Sequence, residues 1–297
     1  FAAILKASER VTWTPEDLIG PGQDFDFSKP FMPEGLARCA ELDFLSAGDR
    51  TLWNQLRGHQ YLWIFVVAEE FILQFVLAHA RPMSATDGDR ARALLGFASE
   101  EVKHTQLFQR FRARFQESFG HRCDVIGPPE EIARAVLAHP QLSVALAILL
   151  IEWMTQGHYL DSVRDAREID PRFQELLRCH WMEEAQHAKL DEALVLELAA
   201  GCTPAEIAAA IDGLFSIATL VDGGVLQQLE FDVDAFERAR GARLSPADRE
   251  RLMTSQRQAV RWTFLGSGMR HPRFLATLGA ISPEGRRRVE EATPAFS

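Results

Sequence analysis

Two short motifs constrain this chain more than any other feature. They are Glu101-x-x-His104 and Glu184-x-x-His187, and a long apolar segment with a glutamate in its interior precedes each of them. Residues three apart on an α-helix lie about 60° apart in projection, so both side chains of a motif can address one site from one helix face. Two Glu-x-x-His helices and two helices with a single glutamate form the ligand set of a dimetal-carboxylate bundle. The pattern therefore predicts an all-α four-helix bundle that binds two metal ions.

The apolar segments that precede the motifs supply the two single glutamates. The segment WIFVVAEEFILQFVLAH contains Glu69 and Glu70, whereas SVALAILLIEWMTQGHYL contains only Glu152. An ionised carboxylate in such a segment is costly unless it has a partner, and a metal ion is such a partner. Glu70-x-x-x-Gln74 resembles Glu152-x-x-x-Gln156, with each glutamine one turn along the helix. We therefore predict Glu70 as the ligand and keep Glu69 as the alternative.

A third histidine lies on the last motif helix. His180 precedes Glu184 by four residues and His187 by seven, so the three share one stripe to within about 40°. This arrangement resembles the p-aminobenzoate N-oxygenase family of ferritin-like diiron enzymes, whose last ligand helix carries an additional histidine. A hydrogen-bonding role outside the ligand set is the alternative for His180. The resemblance covers roughly residues 50–200 and rests on Glu70, Glu101, His104, Glu152, His180, Glu184 and His187.

The ligand chemistry and the resemblance together predict the reaction class. Carboxylates and imidazoles suit iron, with manganese also acceptable, and a pair of such ions can activate O2. We expect Glu101 and His104 to bind one ion, and His180 and His187 the other. The resemblance implies oxygen insertion at the nitrogen of an aromatic amine, through a hydroxylamine toward nitroso or nitro products. No Gly-x-Gly-x-x-Gly or P-loop motif is present, so an external electron donor is expected.

Three other functions use a similar ligand set. A dimetal enzyme that hydroxylates or desaturates carbon would keep the same ligands. A ferritin-type iron-oxidising or storage protein would assemble into a cage. A radical generator of the ribonucleotide-reductase type needs a tyrosine beside the metals, and the chain has only Tyr61 and Tyr159.

The helical period also predicts the surroundings of the ligands. Asp191, one turn after His187, either orients a ligand histidine or is solvated. Glu100 and Glu183 point about 100° away from the motif glutamates and are expected to be solvated. Surface or capping roles are expected for His79, His121, His139 and His271. An arginine would bind the carboxylate of an aminobenzoate, but the sequence singles out none. The predicted substrate pocket consists of Phe97, Ala98, Thr105, Phe108, Leu149, Thr155, Gln156 and Tyr159.

Composition fits one enzyme domain over residues 1–297, with 47% hydrophobic and 25% charged residues. The net charge of -10 argues against nucleic-acid binding. Uncharged stretches fall short of a membrane span, so no membrane partner is expected. Four cysteines without Cys-x-x-Cys spacing predict free thiols in a reducing compartment, hence a cytoplasmic protein. A homodimer is expected from the many apolar helices.

Proline, glycine and capping signals predict the helix boundaries. Residues 1–33 are expected to form an extended arm packed on the body. The ligand-bearing bundle should span about 49–200, with ligand helices at 49–80, 88–119, 141–165 and 171–201. Short helices are expected at 34–45 and 130–138, and accessory helices at 203–230, 233–239, 246–265, 271–279 and 283–292.

Overall fold

The computed structural model describes Lys6 and residues 11–20, 22–80 and 88–296. These residues form helices joined by short connections, and no β-strand occurs among them. The prediction of an all-α fold is confirmed.

Twelve α-helices occur among the described residues of the body and the arm. They are α1 (Pro15–Leu18), α2 (Glu34–Ala37), α3 (Ala47–Ala80), α4 (Gly88–Phe119), α5 (Pro129–Leu137), α6 (Gln141–His158), α7 (Pro171–Ala200), α8 (Pro204–Arg240), α9 (Pro246–Arg261), α10 (Ser267–Met269), α11 (Pro272–Ile281) and α12 (Pro283–Ala292). Short 3₁₀ turns at Cys39–Glu41 and Thr293–Phe296 and π turns at Tyr159–Val163 and Trp262–Gly266 complete the regular structure.

The bundle consists of the four long helices α3, α4, α6 and α7. Helix α3 packs against α4, α6 packs against α7, and α4 also contacts α7. Helix α8 covers α3 and α6 from outside this bundle. The N-terminus of α7 shows how the sequence sets a helix boundary. The side chain of Asp170 accepts hydrogen bonds from the backbone N–H groups of Arg172 and Phe173, and Pro171 occupies the first turn. The four helices therefore meet along one central seam.

Several predicted boundaries differ from the observed ones. The helix expected at 34–45 is only the single turn α2 followed by a 3₁₀ turn, and α6 ends at His158 and continues as a π turn. The helices expected at 203–230 and 233–239 are one helix, α8. No proline or glycine occurs between Val225 and Arg240, and Val233 and Phe236 continue the buried face, so nothing ends the helix before Gly241.

The described part of the arm packs on the bundle, as predicted. Phe25 and Phe31 are buried, and the side chain of Asn54 on α3 accepts hydrogen bonds from the backbone N–H groups of Phe31 and Met32, at 2.7 and 2.8 Å. Residues 1–5, 7–10 and 21 of the predicted arm lie outside the described residues.

Two helices, α3 and α8, are long and apolar enough to cross a membrane by length and composition alone. In their most apolar windows, 67% of the α3 residues and 39% of the α8 residues are buried within the protein. A core helix of a globular protein passes the same test. The expectation of no membrane partner stays a prediction, as do the single domain, the homodimer and the cytoplasmic location. All four cysteines are free thiols.

Candidate metal centre

The bundle brings seven metal-ligating side chains together. Helix α3 contributes one glutamate, α4 a glutamate and a histidine, α6 one glutamate, and α7 two histidines and a glutamate. Each of the seven residues is at most 2% exposed, which for charged side chains requires close partners. They are Glu69, Glu101, His104, Glu152, His180, Glu184 and His187.

Six of these residues form two overlapping groups of four donors each. The first group is Glu69, His104, His180 and Glu184, and the second is Glu101, His104, Glu184 and His187. Within a group, one donor atom from each residue lies within 4.8 Å of all the others. Such spacing suits donors arranged around one ion, so the cluster has room and ligands for two metal ions.

Glu184 lies between the two groups and addresses both of them. Its Oε1 lies 3.2 Å from Nδ1 of His104 and also contacts Nε2 of His180. Its Oε2 lies 2.8 Å from Nδ1 of His187. A carboxylate with one oxygen in each donor group is placed to bridge two ions, a role that the sequence did not assign to any one residue.

Several donor atoms lack a hydrogen-bond partner within the protein. The Oε2 atoms of Glu69, Glu101 and Glu152 are buried without one. A buried polar atom without a partner costs free energy comparable to that of a lost hydrogen bond or more. Metal ions would satisfy these atoms, and the mixed oxygen and nitrogen donors fit iron or manganese.

The choice between Glu69 and Glu70 is decided by the geometry, and the prediction of Glu70 was wrong. Glu69 is 2% exposed, with Oε1 3.4 Å from Nε2 of His180 and 3.8 Å from Nδ1 of His104. Glu70 instead accepts a hydrogen bond from Gln74 in an exposed pair on the outer side of α3. Consecutive helical residues point about 100° apart, so only one of the two glutamates can face the seam.

The expected division of histidines between the ions also differs from the geometry. We predicted His180 and His187 on one ion, but the two lie in different donor groups. His180 directs Nε2 toward Glu69 and Glu184, whereas His187 directs Nδ1 toward Glu101 and Glu184. His180 therefore belongs to the same donor group as Glu69. The geometry favours this place over a hydrogen-bonding role outside the donor set.

The charges of the cluster favour an ionised bridge. Burial alone would raise the pKa of Glu184, but His180, His187 and His104 around it hold the pKa well below its usual range. Burial and the neighbouring charge of Glu184 raise the pKa of Glu152 well above its usual range. The pKa values of the two neighbouring carboxylates are therefore shifted in opposite directions. A cation bound between them would favour the ionised form of both.

The residues that precede the motif glutamates are not solvated, which corrects the prediction for both of them. Glu183 is fully buried, and its Oε2 lies 2.9 Å from Nε2 of His104. Glu100 reaches Nε2 of His187 at 2.8 Å. Each motif helix thus supplies a carboxylate to the histidine of the other motif. These contacts direct Nδ1 of both histidines toward the centre, and a carboxylate on Nε2 favours the Nε2–H tautomer.

The extended arm closes this side of the centre. The ring of Trp13 stacks on that of His104 at 6.1 Å and 8°. Lys103 lies 4.0 Å over the Trp13 ring and pairs with Oε1 of Glu183. The sequence predicted a packed arm but gave no signal that one of its tryptophans would cover a ligand histidine.

Asp191 takes neither of the two roles predicted for it. It is 1% exposed, so it is not solvated, and neither of its carboxylate oxygens has a hydrogen-bond partner. Burial raises the pKa of its carboxyl well above the usual range. Glu100, and not Asp191, contacts the outer nitrogen of His187.

We expect Glu183→Gln to weaken metal binding by about 10- to 100-fold, because the amide cannot hold the His104 tautomer as a carboxylate does. The measurement is a titration with Mn(II) or Fe(II) in competition with a chelating dye. Glu175→Gln on the same helix is the matched control, since the half-exposed Glu175 contacts Arg178 and Cys179 and belongs to neither donor group. Equal affinities for the two variants would contradict the role of Glu183.

None of the eight residues predicted to form a substrate pocket lines the apolar cavity beside the bundle. That cavity, of about 450 Å³, lies between α3, α5, α6 and α8. Phe97 stacks on His187 at 3.9 Å and Phe108 packs edge-on against His180 at 4.9 Å, so both shield ligands. Ala98 and Leu149 are core residues, and Thr105 is half-buried. Thr155 donates to the carbonyl of Ile151, Gln156 donates to that of Trp181, and Tyr159 stacks on Trp181.

The remaining histidines and the tyrosines lie outside the donor groups. His271 caps α11 and His79 contacts the carbonyl of Phe75, as expected for capping roles. His121 is exposed and His139 is half-buried. The hydroxyl of Tyr61 lies 3.2 Å from Nδ1 of His158. The ring of Phe65 contacts both Tyr61, at 4.6 Å, and His180, at 5.2 Å.

Comparisons with known proteins give matches only among solved structures. No protein-family model matches the chain, and no curated protein matches it. An R2-like ligand-binding oxidase mutant with an aerobically reconstituted Mn/Fe cofactor matches with 15% identity and a TM-score of 0.47, covering 90% of this chain and 91% of that one. The same mutant with the cofactor reconstituted anaerobically has 13% identity and a TM-score of 0.43, with the same coverage. At these sequence identities and TM-scores, the matches assign no residue role to this chain. The p-aminobenzoate N-oxygenase resemblance stays a prediction.

Proposed function

We propose that this chain is an O2-dependent non-haem dimetal oxygenase that holds two iron ions, or one iron and one manganese. The observation that carries the proposal is the pair of overlapping four-donor groups, buried where four helices meet. Glu69, His104 and His180 would hold one ion, Glu101 and His187 the other, and Glu184 both. Glu152 faces Glu184 and would complete the set.

The metal ions would supply the binding and reduction of O2, and the residues around them would support this chemistry. Glu183 and Glu100 hold the outer nitrogens of His104 and His187, so both imidazoles present Nδ1 to the centre. Phe97, Phe108 and Trp13 cover the ligand histidines and exclude bulk water. Such a dry, preorganised site protects an oxidising centre from side reactions.

The finer part of the proposal is oxygen insertion at the nitrogen of an arylamine. One oxygen atom of O2 enters the N–H bond to give a hydroxylamine. The other leaves as water, with two electrons and two protons supplied by an external donor. The support for this step is the resemblance of the ligand pattern on α7, where His180 accompanies the Glu-x-x-His motif.

The test is single-turnover oxidation under ¹⁸O2. Protein loaded with Fe(II) and chemically reduced is mixed with 4-butylaniline, and O2 consumption and labelled products are measured. We expect one labelled oxygen atom on nitrogen, and no product from Glu184→Ala. Label on the butyl carbons would show that the protein hydroxylates carbon and does not oxygenate nitrogen. Uptake of many ferric ions per chain without amine oxidation would indicate iron storage, and loaded protein that consumes no O2 would end the proposal.

A further inference from the structure

The cavity beside the metal centre has an almost entirely apolar wall. Helix α3 contributes Phe65, Ala68 and Phe71, and α6 contributes Ala147 and Ile151. Of the described residues that line it, none carries a charged side chain, and only Thr219 and Gln227 have polar ones. A volume of about 450 Å³ falls within the range of small-molecule sites.

The cavity reaches the wall of the metal centre. Phe65 lines the cavity, and its ring also packs edge-on against His180, at 5.2 Å. Ala68 and Ile151, which also line it, directly precede Glu69 and Glu152 in the chain. The cavity therefore borders the same turns of α3 and α6 as these glutamates, and the ring of Phe65 separates it from His180.

The outer end of the cavity lies along α8. Thr219, Leu220, Gly223 and Gln227 line it and are exposed to solvent. Arg261 approaches this part of α8, but both oxygens of Asp222 hold its guanidinium, at 2.7 and 2.8 Å. A ligand that enters here therefore meets an apolar wall and a cation that already has its counter-ion.

We propose that this cavity is the substrate site, and that it selects uncharged, apolar molecules and rejects those with a carboxylate. The proposal rests on the proposed function for the identity of the reaction, and it names the substrate class. A carboxylate in the cavity would lose its hydration and find no cation or hydrogen-bond donor in the deep wall. The preferred amine is thus an alkyl-substituted aniline and not an aminobenzoate, in agreement with the absence of a lining arginine among the described residues.

The test compares 4-butylaniline with 4-aminobenzoate, which share the aromatic amine and differ in the para substituent, an apolar butyl chain in one and a carboxylate in the other. Binding to the full chain is measured by equilibrium dialysis at neutral pH, in metal-loaded and in metal-free protein. We expect the carboxylate to bind about a hundredfold more weakly than the neutral amine in both forms. Equal affinities, or no binding of either compound, would overturn the proposal.

Two variants locate the binding. Ala218→Leu fills the cavity from α8 and should weaken 4-butylaniline binding by about tenfold or more, since Ala218 lines it. Ala209→Leu makes the same change at an exposed position of the same helix and should leave the affinity unchanged. Unchanged affinity in Ala218→Leu would overturn the proposal. Because dialysis of metal-free protein needs neither metal nor turnover, this result is independent of whether the proposed reaction occurs.

Discussion

Replacing Glu184 with alanine should abolish the binding of both metal ions. Glu184 is one of two residues that belong to both donor groups, and its two oxygens address different histidines. Its removal takes one carboxylate oxygen from each group and leaves three neighbouring imidazoles without their central negative charge. We expect metal content, measured by plasma mass spectrometry after loading and desalting, to fall from two ions per chain to fewer than one.

Two adjacent glutamates provide the matched comparison for this result. Glu69→Ala removes a donor from one group only, so we expect it to lower the content to about one ion per chain. Glu70→Ala changes the next residue, whose side chain pairs with Gln74 on the outer side of α3, and should retain both ions. A loss of metal in Glu70→Ala but not in Glu69→Ala would show that Glu70 is the ligand, as the sequence predicted.

Metal binding should also raise the thermal stability of the protein by a large amount. At a free metal concentration 100 times the dissociation constant, one site contributes about 2.7 kcal/mol to the free energy of unfolding. Two sites would contribute about 5 kcal/mol, which for a chain of this size corresponds to a rise in Tm of roughly 10 °C. The shift is expected because metal ions satisfy buried oxygens that have no partner within the protein.

Differential scanning calorimetry with and without Mn(II) measures this shift. Glu184→Ala is the control: its Tm should be insensitive to the metal if the shift comes from the buried centre. A similar rise in wild type and variant would place the stabilising ion elsewhere on the protein.

The residues of the centre were predictable because their chemistry is tied to the helical period. Glu101, His104, Glu184 and His187 follow from the two motifs, and His180 follows from its place on the same stripe. Burial of all five side chains in one seam agrees with that pattern. Which glutamate of α3 faces the seam was not predictable, because Glu69 and Glu70 have equally apolar surroundings in sequence, and only the rotation of α3 decides between them.

Other features depend on contacts between distant segments. Glu100 and Glu183 each contact the histidine of the other motif. These contacts depend on the angle at which α4 and α7 cross, which no local pattern specifies. The cavity depends on α8, a helix that carries no ligand and was expected to end earlier. The sequence did contain a signal for Glu183. Because it lies directly before Glu184, its carboxylate could have been expected to contact a histidine of the other motif helix.

The most direct test of the metal centre is anomalous X-ray diffraction from crystals of protein loaded with Fe(II) or Mn(II), collected at the metal absorption edges. We expect two peaks per chain, one among Glu69, His104, His180 and Glu184 and the other among Glu101, His104, Glu184 and His187, with Glu184 between them. No anomalous peak within this cluster from fully loaded crystals, or peaks only at surface carboxylates, would contradict the account.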